Sequence, residues 1–258
     1  MILTEIKQKI REYAMSLGVD DVGFASVADY KSPRTKDIAS MFPEAKSMVV
    51  VAIREGSHIK SLNPRIAFSG RMDIMEFGRG VNYKLARFLE RECGAMAMSV
   101  PLSYPMEMSP KTMGVVADVS LRHAAIAAGL GKFGRNNLVL HPKFGSRVLF
   151  GAILTDLDLP SDPPVTEDIC TDCGICVDGC PGGALDVEGI TDPAKCLKNS
   201  QPYGLGKIIG FWSKFVDKTP EEQKQMFLTE DFWSMYQAQF IGFQYFCFNC
   251  ESCCPLND

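Results

Sequence analysis

Nine of the ten cysteines in this 258-residue chain lie beyond residue 169, at spacings that suit a metal better than a disulfide framework. The run CTDCGICVDGCP sets Cys170, Cys173, Cys176 and Cys180 at C-x2-C-x2-C-x3-C ahead of Pro181. Three thiolates so spaced reach three corners of one [4Fe–4S] cubane, while the fourth turns towards a second cluster. A second set of ligands is therefore required. Cys247, Cys250 and Cys254, the last followed by Pro255, provide it, with Cys196 standing between the two runs. The spacing assigns Cys170, Cys173, Cys176 and Cys254 to one cluster and Cys180, Cys196, Cys247 and Cys250 to the other. Cys253 rivals Cys254, because C-x2-C-x2-C is also a usable triplet; the following proline favours Cys254. Structural zinc is the competing use of four thiolates, but zinc ribbons present separated C-x2-C pairs rather than a triplet and a proline. Cys93, in a helical and apolar context, reads as a core thiol.

A second candidate motif is the glycine loop, where Gly129, Gly131 and Gly134 match G-x-G-x-x-G and Asp156 follows. A dinucleotide fingerprint needs a strand before the glycines and a helix after them, whereas here helix-like SLRHAAIAA leads in, which argues against nicotinamide. Glycines there still permit close backbone approach to a ligand. Asp118, taken alone, reads as the N-cap of that helix.

Several elements must position these groups. Leu3, Ile6, Ile10 and Ala14 predict an amphipathic first helix ending near Gly18, and DDVGFASV, SMVVVAI and SRVLFGAILTDL read as strands. Leu85, Phe88 and Leu89 mark a helix in NYKLARFLERECGAMA. The proline-rich, acidic run DLDLPSDPPVTED reads as a linker, which divides the chain into residues 1–164 and 165–258. From Tyr203 to Phe248 an aromatic-rich segment holding both tryptophans reads mainly as private packing for the second unit. A net charge of −4 gives no footprint for a phosphate backbone, and no basic patch or DNA-reading helix supports an iron–sulfur sensor. The N-terminus lacks the pattern of a signal peptide and no apolar run approaches a membrane span, so the cytoplasm is the expected compartment.

In their order along the chain, Asp118, the glycine loop and the cysteine runs resemble the epoxyqueuosine reductases, over nearly the whole sequence. The segment DVSLRHAAIAAGLGKFGRNNLVLHPKFGSRVLFGAILTDLDL resembles that family's stretch around its catalytic aspartate and cobalamin-binding loop. CTDCGICVDGCPGGAL, Cys196 and CFNCESCCPLND resemble its paired cluster motifs, including the closing C-P-x-N. The resemblance implies an α+β chain: a nitroreductase-like α/β N-terminal domain, a ferredoxin-like two-cluster domain, and cobalamin between them, in a layout shared with the reductive dehalogenases. Electrons would pass through the two clusters to cobalt, and Asp118 matches the family's proton donor, a role that burial would support by raising the carboxyl pKa.

By the same resemblance the cobalamin site involves Asn82, Tyr83, Gly129, Gly131, Arg135, Asn136, His141 and Ser146. The expected donor is a low-potential carrier such as ferredoxin or flavodoxin, and the substrate a small molecule or modified nucleoside. Three departures qualify the transfer. The sequence stops four residues after Cys254, without the family's helical-repeat domain, which puts a tRNA substrate in doubt. The family's G-W-x-G-K is here Gly131, Lys132, Phe133, Gly134 and Arg135, and its D-Y-H is Asn82, Tyr83 and Lys84. Fifty residues separate Cys196 from Cys247, and this aromatic insertion could roof the corrinoid. No D-x-H-x-x-G lower-ligand motif occurs, and neither His123 nor His141 is expected to ligate cobalt. The alternative from another class is an electron carrier or corrinoid-reducing partner with no substrate chemistry of its own.

Overall fold

The computed structural model describes residues 3–103, 106–107, 109–112, 114, 116–242 and 244–257, so Phe243 of the aromatic segment lies outside the described residues. Helix α1 (Leu3–Ser16) buries Ile6, Ile10 and Ala14 on one face, as its periodicity predicts. Strands β1 (Asp21–Ser26), β2 (Ser47–Arg54) and β3 (Ala97–Ser99) join β6 (Val148–Thr155) in an antiparallel sheet of order β1-β2-β6-β3. The centre of the sheet is covered on both faces, which explains the nearly unbroken apolar run of β2. Val49, Val51, Ile53 and Ile153 face α1 and α2 (Pro64–Glu92), while Met48, Val50, Ala52 and Phe150 face α3 (Leu121–Ala127) and the chain around Ile38 and Phe42. The result is a mixed α/β architecture.

The sequence signals only the second half of α2. Its first half carries Gly70, Gly78 and several charges, which blur the apolar period; Asn63 nevertheless caps it by accepting from Arg65 N, with Pro64 in the first turn. Glycines bring the layers together at two points. A side chain at Gly23 would strike the Ala128 carbonyl at the end of α3, and one at Gly151 would strike Asn82 of α2.

The run that reads as a linker is bound down. Leu159 is buried, its N–H donates to Ser47 Oγ (2.8 Å), and Asp162 accepts from Lys7 Nζ (2.7 Å), Arg11 Nη2 (2.8 Å) and Phe24 N (3.1 Å). Prolines keep this segment extended, and its acids find cations on α1. It is a strap across the first half of the chain rather than a free tether.

After the strap come short α4 (Ile175–Asp178), α5 (Pro193–Ser200), α6 (Leu205–Val216), α7 (Pro220–Met226), α8 (Glu230–Ile241) and α9 (Asn249–Ser252). The aromatic segment is helical but not a closed private core. Phe211, Met235 and Ala238 are buried, whereas Trp212, Trp233 and Tyr236 are exposed and Phe240 is 82% exposed. The aromatic residues are spread around the helices, so one face alone cannot hide them. No described helix is long and apolar enough to cross a membrane.

Asp162→Ala should remove charge-assisted bonds that hold the strap to α1 and β1. A loss of about 1–3 kcal/mol, read as a lower midpoint in urea, is the expected outcome.

Candidate functional site

The first cysteine group is assembled from two distant segments. Cys170, Cys173, Cys176 and Cys254 line one cavity, closed by Arg135, Asn136, Leu140, Pro255 and Leu256. The local fold explains the approach. Asp172 and Gly174 both take positive φ, turning the chain tightly between the ligands, and Cys176 lies in α4, which packs on α9. Asn249 Nδ2 of α9 donates to the Gly179 carbonyl (3.3 Å), drawing the two cysteine runs together. Cys253 does not line this cavity, although its thiol is raised by burial and by neighbouring Cys176, Cys254 and Cys173.

The second group joins α5 to the C-terminal run. The Phe246 N–H donates to the Ser200 carbonyl (2.8 Å), so the chain returns to α5 after the aromatic helices and brings Cys247 to Cys196. Burial raises the Cys196 thiol first, followed by the charges of Cys247 and Cys180. Burial likewise pushes Cys250 far above the ordinary thiol range, with Glu251, Cys247 and Cys196 adding to it.

Thiols so placed resist ionisation together unless a cationic centre is among them, which is the donor chemistry of a metal site. Among the described residues, no three His, Cys, Asp or Glu side chains close on one point as ligands of a single ion do. Four sulfurs around a cavity fit a polynuclear cluster, whose corners are spread apart. Each group also receives a backbone N–H on sulfur: Arg135 N to Cys170 Sγ (3.4 Å) and Ala184 N to Cys180 Sγ (3.3 Å).

The first half of the chain grips these segments through Ser146, assigned to the corrinoid by resemblance, and through Gly145, Arg147 and Arg71, which the spacing did not single out. Asn257 is buried; its Oδ1 accepts from Ser146 N (2.9 Å), its Nδ2 donates to the Glu251 carbonyl (2.5 Å), and its carbonyl accepts from Arg147 Nη2. Gly145, at φ +57°, has its open side against Asn257 and Leu256. Above this hook, Arg71 of α2 reaches Glu55 Oε1 (2.7 Å) and Glu251 Oε2 (2.5 Å) and lies over the Phe248 ring, while His58 Nε2 meets Glu55 Oε2 (2.8 Å). Burial raises Glu251 to about 7 against the pull of Arg71. The closing C-P-x-N was a signal for Asn257; nothing in the spacing pointed to Arg71.

The residues assigned by resemblance to a corrinoid fall in different surroundings. Arg135 and Asn136 line the cysteine cavity, and Asn136 Nδ2 donates to the Cys250 carbonyl (2.8 Å). Ser146 Oγ donates to the Glu251 carbonyl (2.7 Å). Asn82 is buried, bracing Val100 and Ala152 through its Nδ2. Tyr83 is exposed and pairs with Arg87. Gly129 and Gly131 give close approach to the chain's own Pro163 and Leu140 carbonyls, and a hairpin of β4 (Lys132–Phe133) and β5 (Val139–Leu140) follows them where a dinucleotide motif would place a helix. His141 is buried; its Nδ1 accepts from Lys143 N (3.1 Å), so Nε2 carries the hydrogen bonded to Asp21 Oδ2 (3.2 Å), which holds Asp21 below its ordinary pKa.

Asp118 is not the N-cap of α3, because Ser120 occupies that position. Nor is it buried: its side chain is 40% exposed and lies 3.5 Å from Lys36 Nζ, which also pairs with Glu107 (2.9 Å). Lys36 borders an open groove with Tyr30, Thr35 and Ile38, and Tyr30 Oη accepts from Ser120 N (2.8 Å), fixing the groove to the start of α3.

Known proteins give a consistent comparison, although no family model matches the chain. The epoxyqueuosine reductase of Bacillus cereus is 25% identical over 281 aligned positions, covering 100% of this chain and 66% of the relative. The chain resembles the epoxyqueuosine reductases from end to end. The Bacillus subtilis enzyme is 26% identical across 100% of the chain, and that of Cyclobacterium marinum is 38% identical across 31% of it. The chain spans about two thirds of the length of the curated relatives it matches along its full extent. A crystal structure of an epoxyqueuosine reductase superposes with a TM-score of 0.66 at 23% identity, covering 99% of this chain and 66% of the other, which is a likeness of fold. A catabolic reductive dehalogenase superposes with 0.57 at 24% identity over 74% of this chain and 28% of the other.

Arg71→Ala would leave Glu55 and Glu251 buried without their shared cation. We expect a loss of about 3–5 kcal/mol in urea unfolding, far above a surface ion pair. A loss below about 1 kcal/mol would mean that the pair is effectively solvated.

Proposed function

We propose that this chain is an iron–sulfur oxidoreductase of the epoxyqueuosine reductase kind. Residues 1–164 would form its nitroreductase-like domain, and residues 165–258 a ferredoxin-like domain with an aromatic insertion. The observation that carries the reading is the pair of four-cysteine groups, each gathered from distant segments. Cys170, Cys173, Cys176 and Cys254 would hold one [4Fe–4S] cluster, and Cys180, Cys196, Cys247 and Cys250 the other. Bound there, such clusters supply one-electron transfer at a potential set by hydrogen bonds to sulfur, charge and solvent exposure.

A corrinoid enters by resemblance; when bound it would supply cobalt in a low oxidation state to an electrophilic substrate. The residues assigned to it do not line one cavity together, so the groove beside Asp118 is the place we assign to cofactor and substrate. There Lys36 holds the Asp118 carboxylate in position. A ligand covering the groove would exclude water from that pair, which favours passage of a proton from the Lys36 ammonium to the Asp118 carboxylate, and Asp118 would then deliver that proton as the substrate is reduced.

A solved epoxyqueuosine reductase carries an epoxyqueuosine-modified tRNA stem loop, which makes a tRNA-borne epoxide the first substrate to try. The net charge of −4 tells against a broad phosphate contact, so a free modified nucleoside or small electrophile is the companion test. The donor would be a ferredoxin or flavodoxin. A pure electron carrier is the second reading, favoured by the exposure of Asp118.

Anaerobic purification with iron and sulfide analysis tests the centres, and about eight irons per chain is the expected yield. Cys254→Ser should lose one cluster's spectrum while Cys253→Ser keeps both; the reverse result would exchange the ligands. Titration with cob(II)alamin, followed by electron paramagnetic resonance, then separates the readings: a shifted cobalt signal supports the reductase, and an unshifted one the carrier. For the reductase, Asp118→Asn should lower turnover at least 100-fold with unchanged iron content.

A further inference from the structure

We propose that Arg135 sets the reduction potential of the cluster held by Cys170, Cys173, Cys176 and Cys254, raising it relative to what the same ligands would give without a cation. The inference rests on the cluster assignment made above. The resemblance places Arg135 with the corrinoid; the structure places the residue among those lining the cysteine cavity, with its Nε 3.8 Å from the carboxylate of Asp172, between Cys170 and Cys173. Its backbone N–H already donates to Cys170 Sγ (3.4 Å), so the residue is fixed against one ligand by the main chain.

Only 18% of the Arg135 side chain is exposed, and its buried Nη1 has no hydrogen-bond partner among the described residues. Its ion-pair partner is Asp172, with Nε 3.8 Å from Oδ1, and that carboxylate is 71% exposed. Solvent therefore screens the aspartate well and the guanidinium poorly. The enclosed guanidinium charge is therefore only partly offset by its exposed carboxylate partner.

Reduction adds one negative charge to a cluster, and a nearby buried cation stabilises the reduced form more than the oxidised one. Near the second group, among the described residues, Arg71 is shared between the buried carboxylates of Glu55 and Glu251, and Lys195, on α5 with Cys196, is half-exposed and paired with Asp186. The two centres would thus differ in potential by virtue of first-half residues, with the Cys170 centre the better electron acceptor.

The test is a redox titration of the whole anaerobic protein followed by electron paramagnetic resonance. Arg135→Gln keeps the backbone N–H on Cys170 and removes the charge. We expect the reduced-to-oxidised ratio of one cluster at its wild-type midpoint to fall about tenfold, a drop of about 59 mV for a one-electron couple, with the other cluster unmoved. Arg135→Lys should restore most of the shift. Should Arg135→Gln lose the cluster, Asp172→Asn carries the test in the opposite direction, because removing the offsetting carboxylate should raise the same potential. Unchanged midpoints in whichever of these variants retain both clusters, or equal shifts of both clusters, overturn the proposal. Wild-type protein that binds no cluster overturns the assignment on which it stands, and that result is read from iron content before any potential is measured.

Discussion

The arrangement of the cysteines depends on how the last few residues are held. Asn257 sits in a buried notch between Ser146, Arg147 and Gly145, and spends both ends of its amide there, accepting from Ser146 and donating to the Glu251 carbonyl. Because this segment is hooked, Cys254 is presented to the cavity from a fixed direction, three residues before the anchor. The geometry also explains why Gly145 takes positive φ: any side chain there would occupy the space that Asn257 and Leu256 fill.

From that anchor the electrostatics follow. Arg71 lies between two carboxylates from different parts of the chain, one at the end of β2 and one between Cys250 and Cys253. A buried ion pair of this kind adds little stability over an apolar replacement, but it is costly to break and it selects one arrangement. The same logic applies to the thiols. Burial first and the neighbouring thiols and Glu251 next raise several of them, so without a cationic centre these thiols stay protonated. If the cysteine groups hold the proposed clusters, cluster binding and the folding of these segments would be one equilibrium.

Sequence reading found what short-range chemistry encodes. The C-x2-C-x2-C-x3-C run, the apolar period of Ile6, Ile10 and Ala14, and the buried run of β2 each follow from local spacing. It missed what only the tertiary structure brings together. Arg71 and Glu251 are 180 positions apart, and no local pattern links them. The strap at Leu159–Asp162 has a linker's composition, and its role emerges only when Lys7 and Arg11 of α1 lie beneath it. Asp118 shows the same limit in reverse: its position in the motif was readable, whereas its exposure and its contact with Lys36 were not. The glycine loop was legible as unlike a dinucleotide site, but its close approach turned out to be to the chain's own carbonyls.

The aromatic helices show how an insertion can leave a pair of facing cysteines undisturbed. The bond from Phe246 N to the Ser200 carbonyl closes the base of the excursion, so Cys196 and Cys247 meet whatever lies between them. Loop-closure entropy grows slowly, by about 0.6 kcal/mol for each doubling of length, so a long excursion costs the site little more than a short one. The insertion meets its own ordering cost locally. Thr219 and Glu222 form a reciprocal cap on α7, Thr229 caps α8, and Phe211, Phe215, Phe227 and Phe232 interlock ring against ring. Its exposed aromatics then cannot be explained by the needs of the cysteine centres, since those are satisfied at the base. The insertion carries its own caps and ring packing, while the cysteine framework is closed at the insertion's base by the Phe246–Ser200 bond.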